Sequence, residues 1–185
     1  DLKSKIDTTR YLRATSDIVA LMVLEHQCLV HNLLTRASMD YRSARWREST
    51  FNDDGNTRQS QEVAATKARD ITDTMLFKGE APMGDDGVDG TGEFQQSFTA
   101  RFPKSKQGDS LADFHLGNRM FKNRCSYMIH SQAFADLPLP VKTAVFRELK
   151  ERLTGNQPSD WIPETERRRI AGILTDTVPG FAEIQ

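Results

Sequence analysis

The chain has 185 residues, 37% of them hydrophobic and 28% charged, with 25 basic against 26 acidic side chains and a formal net charge of -1. One domain of this length can bury on the order of 70% of its unfolded surface without a staple, and the charge balance argues against nucleic acid as the main partner, which calls for a basic excess. With no run of ~18 consecutive apolar residues, no segment is expected to span a membrane.

Residues 1–14 read as a lead-in arm, pinned by Ile6, Tyr11 and Leu12. A start at Asp1 in place of Met suits an exported protein that has lost its signal peptide, and equally a fragment of a longer chain. From Thr15 to about Glu48 there is neither Pro nor Gly, and Ile18 to Leu24 are all apolar. That predicts a long helix, buried nearly all round at its start, capped by Thr15 or Ser16 with Asp17 in its first turn. At ~100° per residue, Val19, Met22, Val23, His26, Leu29, Val30, Leu33, Ala37, Tyr41 and Ala44 share one stripe.

His26 sits in the middle of that stripe. An unpaired buried imidazole costs roughly 1 to 3 kcal/mol, so its ring nitrogens need a carbonyl, a side-chain acceptor, a metal or a haem iron. His31 lies five residues on, roughly 140° around the helix, and faces a different neighbour. Glu25, Asn32 and Arg36 form a third, polar line, either a buried network or a rim. Arg42, Arg45, Trp46 and Arg47 read as a solvated helix end in preference to a phosphate or base-stacking site.

Residues 49–59 are a polar turn, after which Ser60 is expected to cap a second helix. Ala64, Ala68, Ile71 and Met75 make its narrow apolar seam, and Lys78 with Gly79 close it, so the first two helices form an antiparallel hairpin. Residues 79–109 are a Gly-rich ordered loop. A short helix begun near Thr91 presses Phe94, Phe98 and Phe102 onto the core and stops at Pro103. Asp85, Asp86 and Asp89 beside Gly87 and Gly90 suggest calcium, but Gly87 and Gln96 stand where an EF-hand wants ligands, so an acidic turn is expected.

Ser110 and Asp113 have capping-box spacing, and His115 is expected outward. Phe121, Cys125 and Met128 at helical spacing predict a helix over 120–134. With Met120, Tyr127 and His130, this segment holds soft and imidazole donors that could surround a cofactor, or simply gap-filling core side chains. A further helix runs from Pro140 to Gly155 with Val141, Ala144, Val145, Leu149 and Leu153 inward. The last is opened by Ser159 or Asp160 and buries Ile170, Ile173 and Leu174, with Arg167, Arg168 and Arg169 as a solvated run.

The fold class is therefore all-α, an irregular helical bundle around one long N-terminal helix, with residues 1–185 as a single domain. Cys28 and Cys125 are expected as free thiols, a disulfide being the alternative. There is no C-x-x-C-H, no C-x-x-C, and no hydrolase, P-loop, zincin or dinucleotide motif, so no catalytic residue is assigned.

The runs Glu25-His26-Gln27, His31-Asn32-Leu33-Leu34-Thr35-Arg36-Ala37 and Arg124-Cys125-Ser126-Tyr127-Met128-Ile129 resemble uncharacterised exported bacterial helical proteins associated with c-type cytochromes. The resemblance implies a periplasmic or extracellular location, with the cytoplasm as the alternative, and a redox or haem connection served by a redox partner protein. Two functional expectations follow. In the first, a non-covalent haem or a transition metal is bound by His26 or His31, with Cys125, Met128 or His130 completing the shell. In the second, the domain is a cofactor-free interaction or scaffold module whose histidines are satisfied in the core.

Overall fold

The computed structural model describes residues 5, 7–10, 17–51, 57–84 and 86–184. Regular structure among them is helical: α1 Ile18–Phe51, α2 Arg58–Met75, α3 Gly92–Thr99, α4 Gln132–Ala135, α5 Leu139–Thr154 and α6 Glu164–Thr177. No strand occurs among the described residues, and Phe114 pairs with Phe121 only as an isolated bridge. The expected caps Thr15 and Ser16, the anchors Ile6, Tyr11 and Leu12, and Asp85 lie outside the described residues.

Asp17 opens α1. Its Oδ1 accepts the Val19 and Ala20 N–H groups at 3.0 and 3.2 Å, while Oδ2 takes the Thr91 N–H at 2.9 Å. One carboxylate thus caps the long helix and ties the start of α3 to it. Hydrogen bonds from Thr91 hold the Asp17 carboxyl below its usual range.

α1 and α2 form the expected antiparallel hairpin. At its closed end Glu48, 4% exposed, accepts the Ser60 N–H at 2.8 Å and pairs with Arg45 at 3.2 Å. Ser60 is therefore not the cap but a first-turn residue of a helix begun at Thr57, satisfied by a carboxylate from α1. Midway, Asp40 meets Lys67 at 2.8 Å. The α2 seam Ala64, Ala68, Ile71 and Met75 is buried as its spacing predicts, and α2 lies between α1 and α5, with α6 on the far side of α5.

The inner stripe of α1 differs from its expected membership. Val19, Val23, His26, Val30, Leu34, Ala37, Ala44 and Glu48 are buried, whereas Leu29 is 58% exposed. Nor is the start of α1 buried all round, because Ile18, Leu21 and Leu24 are 46%, 51% and 54% exposed. Glu25, Asn32 and Arg36 are exposed, so the polar line is rim. α1 also holds an 18-residue window of mean hydropathy 1.4, apolar and long enough to cross a membrane, where the sequence reading found none.

The end of α2 is where propensity loses to packing. Phe77 N–H bonds Thr74 O at 3.2 Å and Lys78 N–H bonds Asp73 O at 3.0 Å, a Schellman closure that puts Phe77 in the left-handed region at φ 52°. Glycine was expected in this role, and Gly79 two residues on is also left-handed. An L side chain there costs roughly 1 to 2 kcal/mol, offset here by the Phe77 ring stacked on His26 at 4.8 Å. Phe77→Ala, which keeps the strain and loses the ring, should therefore be less stable than Phe77→Gly by about 1 kcal/mol in urea unfolding. Equal stabilities would show that the strain is absent.

The loop after α2 is docked against the body. Val88 N–H bonds Leu116 O at 2.8 Å and Met83 N–H bonds Asn118 O at 3.0 Å. A Cβ at Gly87 would fall 2.3 Å from Leu116 O, and one at Gly90 2.5 Å from Val19 Cγ2, so both glycines are required for close approach. α3 places Phe98 in the core, with Phe94 and Phe102 packed at its edge and Phe98 edge-on to Tyr127 at 5.0 Å.

The segment 117–126 corrects a helical expectation. It is irregular, followed by a 3-10 turn Tyr127–His130 and the single-turn α4. Asp113 accepts the Ser110 N–H as in a capping box, but Ser110 Oγ accepts the Ala112 N–H in place of that of Asp113, and no α-helix follows them. α5 matches its expected span and inward face except that Ala144 is only partly buried, whereas α6 starts at Glu164, with Pro163 in the cap position in place of Ser159 or Asp160.

Candidate functional site: a buried histidine and an open helix face

His26 is 7% exposed, projected inward by α1 between Val23 and Val30. Its Nε2 shares a hydrogen bond of 2.7 Å with Ser126 Oγ, which also accepts the Met128 N–H at 3.1 Å. The rings of Phe77, Phe121 and Tyr127 surround the imidazole. Burial without a charged partner pushes His26 down to about 4, so the ring is neutral at pH 7. The same burial drives the Tyr127 phenol upward.

The other predicted ligands are not brought to it as a shell. His31 is exposed on a different face of α1. Cys125 is fully buried and its thiol is pushed up to about 12 by desolvation, which makes it inert as a nucleophile at neutral pH. Met128 is 7% exposed in the core. His130 is partly buried, is held down at about 4 by desolvation, and leaves Nε2 without a hydrogen-bond partner. No group of three or more His, Cys, Asp or Glu able to hold a metal occurs among the described residues. Nε2 of His26 is engaged by Ser126, and His31 lies on a different, exposed face of α1.

Ser126 and His26 have the atoms of a serine-base pair, but Ser126 is 0% exposed. Neither lines the clefts found at α2–α5, at Trp161, at Lys106–Phe181 or at Gln95–Lys122. The pair is a structural hydrogen bond that satisfies the buried imidazole.

Sequence reasoning missed the charged cluster that anchors the chain just before Ser126, whose own N–H bonds Met75 O at 2.8 Å. Glu166 on α6, 5% exposed, accepts the Arg124 N–H at 2.8 Å, Arg124 Nη1 at 3.1 Å and Arg119 Nη1 at 3.4 Å. One turn on, Arg169 donates to Asn123 Oδ1 at 2.7 Å, and Asn123 donates to Ser110 O at 2.8 Å. Arg167 donates to Ser159 O and Ile162 O. The Arg167–169 run is thus not solvated as expected; only Arg168 is exposed. The signal was Glu166 and Arg169 at i, i+3, which share a helix face.

A cleft of about 240 Å³ opens beside this cluster, lined by Phe77, Glu80, Arg119, Arg124 and Trp161. Burial raises the Glu80 carboxyl, against the Met120 N–H and the two arginines. Its charges are compensated internally.

The outer face of α1 is the larger feature. Eight large hydrophobic side chains are exposed among the described residues, and seven lie on α1: Ile18, Leu21, Leu24, Leu29, Met39, Trp46 and Phe51, at 46–72%. Cys28, a free thiol, is exposed on the same helix. No family model, curated protein or solved structure matches this chain.

Proposed function

We propose that this chain is a cofactor-free helical interaction domain whose recognition element is the outer face of α1. The observation that carries the reading is the concentration of seven of the eight exposed large hydrophobics on one helix, Leu139 on α5 being the exception, since soluble monomers scatter them singly. A protein partner suits this face better than lipid. Glu25 is exposed near the middle of the apolar stretch of this helix, and a charged side chain costs about 2.5 to 3.5 kcal/mol at a bilayer centre. The inner face of α1 is also committed to the core through His26 and Glu48.

The test is the accessibility of Cys28. The reading predicts that a thiol reagent modifies Cys28 freely in dilute purified protein and slowly in the cell. A Soret band, or stoichiometric metal in protein purified without chelator, would overturn the cofactor-free part.

A further inference from the structure

We infer that the occupant of this face is a second copy of the chain, docked through an antiparallel α1–α1 seam; the inference rests on the reading of α1 as a recognition element. Leu21, Glu25, Cys28, Asn32, Thr35, Met39, Arg42 and Trp46 succeed one another at alternating spacings of four and three. A two-stranded helical seam uses that spacing with apolar side chains, and here Leu21, Cys28, Met39 and Trp46 are apolar while the other four positions are polar. All eight positions are exposed. At ~100° per residue they centre about 180° from the buried stripe, so the seam points directly away from the core.

The seam is complementary to its own reverse. When two copies run antiparallel about a two-fold axis between positions 33 and 34, every residue meets the one whose number completes a constant sum. Leu21 then meets Trp46 and Cys28 meets Met39, which gives two apolar layers. Glu25 meets Arg42, an ion pair. Asn32 meets Thr35, a hydrogen-bonding pair beside the axis. Each layer occurs twice, over about 38 Å of helix.

Charge matching argues for this partner over others. The side chains of Glu25 and Arg42 make no hydrogen bond or ion pair with any described residue of their own chain, although those of neighbouring Arg36, Asp40, Arg45 and Glu48 all do. A parallel pairing in register would stack Glu25 on Glu25 and Arg42 on Arg42, so like charges select the antiparallel arrangement. Polar Asn32 and Thr35 at the centre fix register and lower affinity, which points to a reversible dimer.

The experiment is sedimentation equilibrium combined with a directed cross-link. Wild-type chain should show a monomer–dimer equilibrium in the micromolar range. Glu25→Arg should weaken it at least tenfold, and Glu25→Arg with Arg42→Glu should restore it to within about threefold. Both sites are exposed, so circular dichroism and thermal midpoint should be unchanged. Met39→Cys should oxidise to a covalent dimer through Cys28 of the second copy. Within one chain those positions lie about 16 Å apart along the helix, beyond disulfide reach.

Failure of the charge-swapped pair to restore dimerisation, or a Cys28–Cys28 disulfide in the wild-type dimer, overturns the register and with it the inference. A wild type monomeric at all concentrations whose Cys28 is shielded in the cell overturns the second-copy assignment and leaves the interaction reading standing. A monomer with Cys28 open in the cell overturns both.

Discussion

Replacing Glu166 by Ala is expected to lower the free energy of unfolding by about 3 to 5 kcal/mol, the largest loss from a single side chain in this protein. The carboxylate is 6% exposed and compensates Arg119 and Arg124, whose side chains are 17% and 24% exposed. Without it two largely buried guanidinium groups lose their counter-charge, and the Arg124 N–H loses its acceptor. Partial exposure of both arginines lets water recover some of the loss, so the lower end of the range is the better expectation. Glu166→Gln keeps an acceptor and should fall between Ala and wild type. Urea unfolding followed by circular dichroism measures all three. A loss below about 1 kcal/mol for Glu166→Ala would mean that α6 does not hold the 117–126 segment.

Acid is the second large lever, and it acts through His26. The ring titrates near 6.5 in the unfolded chain but near 4 in the folded one. Between those values the unfolded state binds more protons. Stability from the neutral ring is therefore fully present above pH 6.5 and is lost as pH falls through the window towards 4. The difference corresponds to about 3 kcal/mol. His130, also near 4, acts in the same direction but is less completely buried, so a smaller loss is expected from it. His26→Gln should be less stable than wild type at pH 7, and its unfolding free energy should fall less steeply from pH 6.5 to 4. Parallel pH profiles for the two proteins would show that His26 is protonated in the folded state and the buried-imidazole account is wrong.

Much of the helical frame was legible because burial on one side leaves a periodic trace. The Ala64, Ala68, Ile71, Met75 seam and the inward face of α5 recur at helical spacing and are read directly from it. The three phenylalanines at four-residue intervals located α3 for the same reason, although Phe102 falls beyond its end. His26 as a core residue followed from its place on the stripe, but its partner did not, since Ser126 is a hundred positions away.

Three features were illegible for distinct physical reasons. Phe121, Cys125 and Met128 mimic a helix, yet long-range bonds from Glu166 and Arg169 hold the intervening chain irregular. Phe77 carries no sequence sign of a left-handed backbone, because its strain is offset by a ring contact made to another helix. The outer face of α1 misled most. Apolar residues all round a helix imply burial all round, and here one side has nothing packed on it among the described residues. Our proposal that this face meets a partner rests on that unfilled expectation.

The rate at which Cys28 is alkylated tests this most directly. Arg168→Cys, exposed on α6, supplies a reference thiol, and Cys125 stays silent because it is buried and its thiol is held up near 12. In dilute purified protein Cys28 and the reference thiol should react at similar rates. In cells producing the chain, Cys28 should react at least tenfold more slowly than the reference, because its helix face is covered. Equal rates in the cell would contradict the account.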